Sequence, residues 1–226
     1  SLLHFVKPVF DRRVFLKTCT NGSSELMTNL SMSLVNALYN LQLMKIAGEN
    51  GVAAYGAVMY VNFIFVATFL GYAIGCAPVI SYHYGAGNHA ELKNLYKKSM
   101  SIILVWGVIL FGAAQLLAPV LSKIFVGYNT GLYAMTLHGF RVYAIAFLII
   151  GINIFGSSFF TALNNGLISA VISFLRTLMF QVIMVLTLPL WFGINGIWSA
   201  ISVAEALTLI MTTTFFVRQK DKYHYL

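Results

Sequence analysis

Six stretches of this chain are each long and apolar enough to cross a bilayer, and that pattern constrains the fold more than any other feature. A hydrocarbon core of about 30 Å takes about 20 apolar residues in a helix. The stretches run from about residue 19 to 47, 54 to 81, 100 to 125, 137 to 163, 167 to 191 and 197 to 217, and Pro119 bends or ends the third. Turn-like runs separate them: Gly48-Glu49-Asn50-Gly51, Gly85-Ala86-Gly87-Asn88, Gly127-Tyr128-Asn129-Thr130-Gly131, Asn164-Asn165-Gly166 and Gly193-Ile194-Asn195-Gly196. Such Gly/Asn pairs supply left-handed backbone positions at helix ends. β-barrel strands would be far shorter and would alternate in polarity. With 9% charged and 59% hydrophobic residues, the chain cannot cover a soluble fold of this size with polar side chains. The reading is all-α: a polytopic membrane protein built as a six-transmembrane-helix bundle.

The lysines and arginines set its orientation. With a cytoplasmic N-terminus, one side carries Lys7, Arg12, Arg13, Lys17, Lys93, Lys97, Lys98, Arg218, Lys220 and Lys222. The other side carries Lys45 and Lys123, with Arg141 one turn inside the membrane. An even number of spans returns both termini to the cytoplasm, and the inner membrane is the expected location. The net charge of +8 is then a topology signal, not a nucleic-acid patch. Residues 1–17 read as a basic cytoplasmic linker, 18–217 as the membrane lobe and 218–226 as a basic cytoplasmic tail. His89 to Lys98 reads as a short basic helix lying along the inner surface. The chain opens on Ser1 with no signal-peptide layout, so a fragment of a longer protein is expected.

Little here points to catalysis. Cys19 and Cys76 fall at the cytoplasmic ends of neighbouring spans, where free thiols are expected. The five histidines, His4, His83, His89, His138 and His224, fit no metal or catalytic spacing. No enzyme activity, metal site or cofactor is expected.

The functional signal is polar groups where hydrocarbon should exclude them. Glu25, Asn29, Ser33, Asn36 and Asn40 fall within one narrow face of the first span at 100° per residue. Such a stripe must turn toward protein or water. Interhelical hydrogen bonding is the plainer role for the asparagines. A buried carboxylate such as Glu25 is raised in pKa by desolvation and lowered by a bound cation. Glu25 is therefore an ion-coupling candidate for H+ or Na+, or else a structural acid near the membrane edge. Arg176 and Glu205 lie about 13 Å and 12 Å inside opposite ends of the last two spans, so both fall near the midplane. They form a candidate ion pair, structural or functional, because either charge alone would be costly there. Ser169, Ser173, Arg176 and Thr177 share a face of the fifth span; Asn153, Ser157, Thr161 and Asn164 share one on the fourth. Asn62 stands out on the second. Asn29, Ser33, Asn36, Asn40, Asn62, Asn153 and Ser157 are the candidates for lining a cavity.

Several stretches resemble one family. They are Asn21-Gly22-Ser23-Ser24-Glu25, Gly75-Cys76-Ala77-Pro78-Val79-Ile80-Ser81-Tyr82-His83-Tyr84-Gly85-Ala86 and Ile172-Ser173-Phe174-Leu175-Arg176. A fourth runs Leu188-Pro189-Leu190-Trp191-Phe192-Gly193-Ile194-Asn195-Gly196-Ile197-Trp198 and is followed by Ala204-Glu205. Together they resemble the multidrug and toxic compound extrusion (MATE) transporters, in particular the C-terminal half of a prokaryotic member. The resemblance implies twelve spans in two six-helix lobes around a central cavity, with alternating access. It implies antiport of cationic or amphipathic drugs or metabolites against H+ or Na+. The partners implied are a small organic cation, the lipid bilayer and a missing N-terminal six-helix lobe. Several family members carry an acid two to three turns deeper than Glu25, near Ser31 to Ser33 here.

Three other functions stay open. One is a lipid-linked saccharide flippase of the same superfamily, which asks for a more cationic cavity than Arg176 alone supplies. The others are a six-helix membrane assembly subunit without transport, and an intact six-span carrier that dimerises.

Overall fold

The computed structural model describes residues 10–225, with the side chains at 21, 23–25, 27 and 28 outside that description. Among the described residues all regular structure is helical. The elements are α1 (Arg12–Gly85), α2 (His89–Val126), α3 (Thr130–Tyr143), a 3-10 turn (Ala144–Ala146) and α4 (Phe147–Ala162). They continue with α5 (Gly166–Phe174), a π-helical turn (Leu175–Met179), α6 (Phe180–Phe192) and α7 (Ile194–Tyr223). Among the described residues, five helical runs are long and apolar enough to cross a membrane.

The first run, Asn29–Gly85, holds two crossings in its 57 residues. Gly48 breaks it at φ 63°, ψ −154°, a backbone state open to glycine and strained for other residues. The two arms fold back on each other. Tyr39 and Tyr55 would be about 24 Å apart in a straight helix, yet their rings stack with centroids 4.9 Å apart. Tyr55 also donates its hydroxyl to Asn36 Oδ1 at 3.0 Å. The six crossings are therefore the two arms of α1, then α2, α3–α4, α5–α6 and α7. Positive φ recurs at Gly87, Asn164 and Gly193, each in one of the expected separators.

The α3–α4 run forms the centre. Two-thirds of its most apolar window, 67%, is buried, against 17–39% in the other four runs. Its α4 portion buries apolar side chains on most sides and the polar Asn153 on another, which suits a helix surrounded by protein. Small residues let neighbours close in. A Cβ on Gly156 would meet Thr212 Cγ2 at 2.5 Å, one on Gly151 would enter the Phe69 ring, and Trp198 packs flat on Gly139. Around this centre, side chains such as Phe63, Ile74, Leu116 and Leu190 stand exposed, as lipid-facing residues do.

Three boundaries differ from the sequence reading. The linker of residues 1–17 is helical from Arg12 onward, because the Asp11 carboxylate caps the backbone N–H groups of Arg13 and Val14; residues 1–9 lie outside the description. His89 to Lys98 is not a separate surface helix but the first turns of the 38-residue α2. Asn88 caps that helix through Glu91 N–H, and no glycine or proline follows before Gly107. The tail of residues 218–226 is helical to Tyr223, and Tyr223 and Tyr225 are buried. Tyr225 packs among Tyr96, Phe159 and Phe216 and donates its hydroxyl to Phe216 O at 2.9 Å. Burial pushes that hydroxyl's pKa upward, keeping it neutral.

Candidate functional site

The polar residues found in the sequence divide into two sets. The first lies on the outward side of α1. Ser31, Val35, Tyr39 and Leu43 turn into the bundle and are buried, whereas Asn29, Ser33, Asn36 and Asn40 are exposed. This stripe does not point into the interior of the six-helix lobe. Glu25, the ion-coupling candidate, falls among the side chains outside the described residues. Asn62, half-buried on the second arm, reaches Met59 Sδ at 4.0 Å.

The second set is a buried polar centre where α4, the π-helical turn and α7 meet. Arg176 Nε donates to Glu205 Oε1 at 2.9 Å, with the side chains 13% and 1% exposed. Asn153 Nδ2 donates to the other carboxylate oxygen, Oε2, at 2.7 Å and to the Glu205 carbonyl at 3.0 Å. Both carboxylate oxygens are thus engaged, which a charge at 1% exposure requires. Counting from Gly166 and Ile194 at 1.5 Å per residue places both charges about 15 Å from the helix starts, near the middle of a bilayer.

Local backbone sets this geometry. Phe180 N–H bonds to Leu175 O, the i to i−5 spacing of a π turn, so Arg176 sits on a bulge. Thr177 Oγ1 bonds back to Ser173 O at 2.7 Å, a contact that bends helices. Tyr39 and Tyr143 are both buried in the bundle.

One turn along α4, the two polar faces read separately from the sequence meet each other. Ser157 Oγ lies 2.9 Å from Ser169 Oγ and 2.8 Å from Ser173 Oγ. Thr161 Oγ1 lies 2.6 Å from Ser169 Oγ. Asn153 and Ser157, candidates for lining a cavity, are therefore packed between helices. Cys19 is exposed, Cys76 half-buried, and both are free thiols. No group of three or more His, Cys, Asp or Glu among the described residues is placed to hold a metal ion.

Sequence reasoning missed the carboxylate's second partner, Asn153, and the π turn. The spacing of Asn153 and Ser157 put them on one face of α4 but did not say that this face meets α7 and α5. Nothing in Leu175-Arg176-Thr177-Leu178-Met179 marks a π turn.

The fold and this centre define a polytopic helical membrane protein with a charged pair held at mid-span. A family model described as MatE matches residues 26–187, and the chain belongs to that family, whose members are transporters. Solved structures show the same fold. One is a crystal structure of MATE in complex with MaL6, at TM-score 0.87 and 19% identity over 96% of this chain and 49% of that one. Another is the outward-facing conformation of a multidrug resistance MATE family transporter of the MOP superfamily, at TM-score 0.86 and 20% identity, covering 97% and 49%. A third is a MOP superfamily transporter from Pyrococcus furiosus, for which a reverse polarity of the binding pocket suggests a different function. It matches at TM-score 0.84 and 20% identity, covering 93% and 48%. The chain spans about half the length of these structures. No curated protein sequence matches it.

Proposed function

We propose that the chain is the C-terminal lobe of a proton-coupled antiporter that exports cationic or amphipathic drugs or metabolites, with Glu205 as a coupling acid. The observation that carries this reading is the buried carboxylate at mid-span, 1% exposed and held by Arg176 and Asn153. Protonation would cancel the attraction to Arg176 and free that charge to move. A group whose ionisation differs between two conformations biases their equilibrium by that difference. A sodium ion at the same carboxylate would lie beside a guanidinium, so the geometry favours H+ over Na+.

The exposed stripe of Asn29, Ser33, Asn36 and Asn40 supports the two-lobe part of the reading. Amides and a hydroxyl do not face acyl chains without cost; against a second six-helix lobe they would line a wet cavity. The basic residues gathered toward one end support an inner-membrane placement with both termini cytoplasmic. A flippase for an anionic headgroup asks for net positive charge at depth. Arg176 is the cation among the described residues at mid-span, and Glu205 neutralises it, which favours the antiporter.

The test is ethidium efflux from proteoliposomes holding the full-length protein. An imposed pH gradient should drive it, and Glu205→Gln should remove the dependence on that gradient. Efflux driven by a sodium gradient alone would overturn the choice of ion, and pH-driven efflux unchanged in Glu205→Gln would remove Glu205 from coupling.

A further inference from the structure

We propose that the hydroxyl column between α4 and α5 is the path by which protons pass between solvent at the basic end of the bundle and Glu205. The proposal rests on the proton-coupled reading above and names the route to its site. Thr161, Ser169 and Ser157 are linked by oxygen–oxygen contacts of 2.6 and 2.9 Å, and Ser173 holds Ser157 from the other side at 2.8 Å. In each contact either oxygen can be the donor, so the column can reverse its polarity, as a relay must. Ser169 and Ser173 are 0% and 3% exposed, and Ser157 and Thr161 are half-buried.

Both ends are provided for. At the basic end, Asn164 follows Thr161 in a turn closed by a backbone bond from Asn164 N–H to Thr161 O at 2.9 Å. Asn164 also forms the wall of an open depression of about 230 Å³ with Val14, Lys17 and Thr18. At the inner end, Asn153 is one turn before Ser157 on α4 and already touches the carboxylate. Its Oδ1, and the Oγ1 of Thr212, whose methyl group packs against Gly156, are buried without a partner. An unpaired buried amide oxygen and hydroxyl are sites that ordered water completes. In the proposed path a water held by these two atoms bridges Ser157 and the carboxylate.

The transfer balances. A proton binds the Thr161 oxygen as that hydroxyl gives its own proton to Ser169. Ser169 passes one to Ser157, and Ser157 passes one through the bridging water to a Glu205 carboxylate oxygen. One H+ enters, one carboxylate becomes a carboxylic acid, and every hydroxyl ends neutral with its hydrogen bond reversed. Ser173 is a positioning residue that keeps Ser157 in line.

The test measures ethidium-coupled proton movement in proteoliposomes of the full-length protein loaded with a pH-sensitive dye. Ser157→Ala should slow proton movement about tenfold, a modest loss for removal of a group in a proton-transfer chain. Ethidium affinity should stay within about twofold, because the hydroxyl is packed between helices. Ser157→Thr, which keeps a hydroxyl, should restore most of the rate. Parental rates in Ser157→Ala, with Glu205→Gln inactive, would overturn the path while leaving the coupling acid in place. Equal slowing in Ser157→Ala and Ser157→Thr would mark packing instead of proton transfer and also overturn it. Parental proton movement in Glu205→Gln would overturn both the path and the coupling reading.

Discussion

The first arm of α1 and the centre of α4 carry similar polar side chains in opposite surroundings. On α1, Asn29, Ser33, Asn36 and Asn40 stand exposed on the outer side of the bundle. On α4, Asn153 is 0% exposed and tied to Glu205, and Ser157 is locked between two α5 hydroxyls. A polar residue inside a hydrocarbon-length helix therefore signals only that something other than lipid covers it. In α4 the cover is supplied by this bundle. In α1 the bundle offers Asn36 the Tyr55 hydroxyl yet leaves the stripe exposed, which is the physical case for a second lobe.

If the division is right, substitutions in the buried set should destabilise the lobe and those in the exposed set should not. The largest effect is expected from Glu205→Ala. It strands Arg176 without a partner and should lower stability by about 3–5 kcal/mol, read as an earlier thermal unfolding of the purified protein. Asn153→Ala should come next, at about 1–3 kcal/mol, since it removes donors to two Glu205 oxygens. Gly139→Ala should fall in a similar or slightly lower range, about 1–3 kcal/mol, because its methyl group would enter the Trp198 ring. Asn40→Ala should move stability by less than about 0.5 kcal/mol while altering efflux in the full-length protein. A large loss of stability in Asn40→Ala would erase the distinction between the two regions.

Much of the fold could be read in the chain because bilayer length and turn residues are local properties. The Gly48, Gly87, Asn164 and Gly193 breaks all fell in expected separators. Counting residues puts Arg176 and Glu205 at similar depths, and the two side chains meet at 2.9 Å. The side a face points to was not readable. Periodicity puts Asn29 to Asn40 on one stripe, but which neighbour covers it depends on how six helices pack. The start of α2 was misjudged for a related reason. Lysines at 93, 97 and 98 suggested a surface helix, yet charge does not end a helix, and no breaker separates them from the apolar run. The burial of Tyr225 was likewise out of reach, since its pocket is assembled from α2, α4 and α7.

The central claim is that the buried carboxylate exchanges its proton with the transport cycle. Proton release on ethidium binding to the detergent-purified full-length protein tests it most directly, because coupled binding equilibria are reciprocal. The account predicts that ethidium binding displaces protons from the parent and fewer from Glu205→Gln at the same ethidium occupancy. Equal release from parent and variant would contradict it.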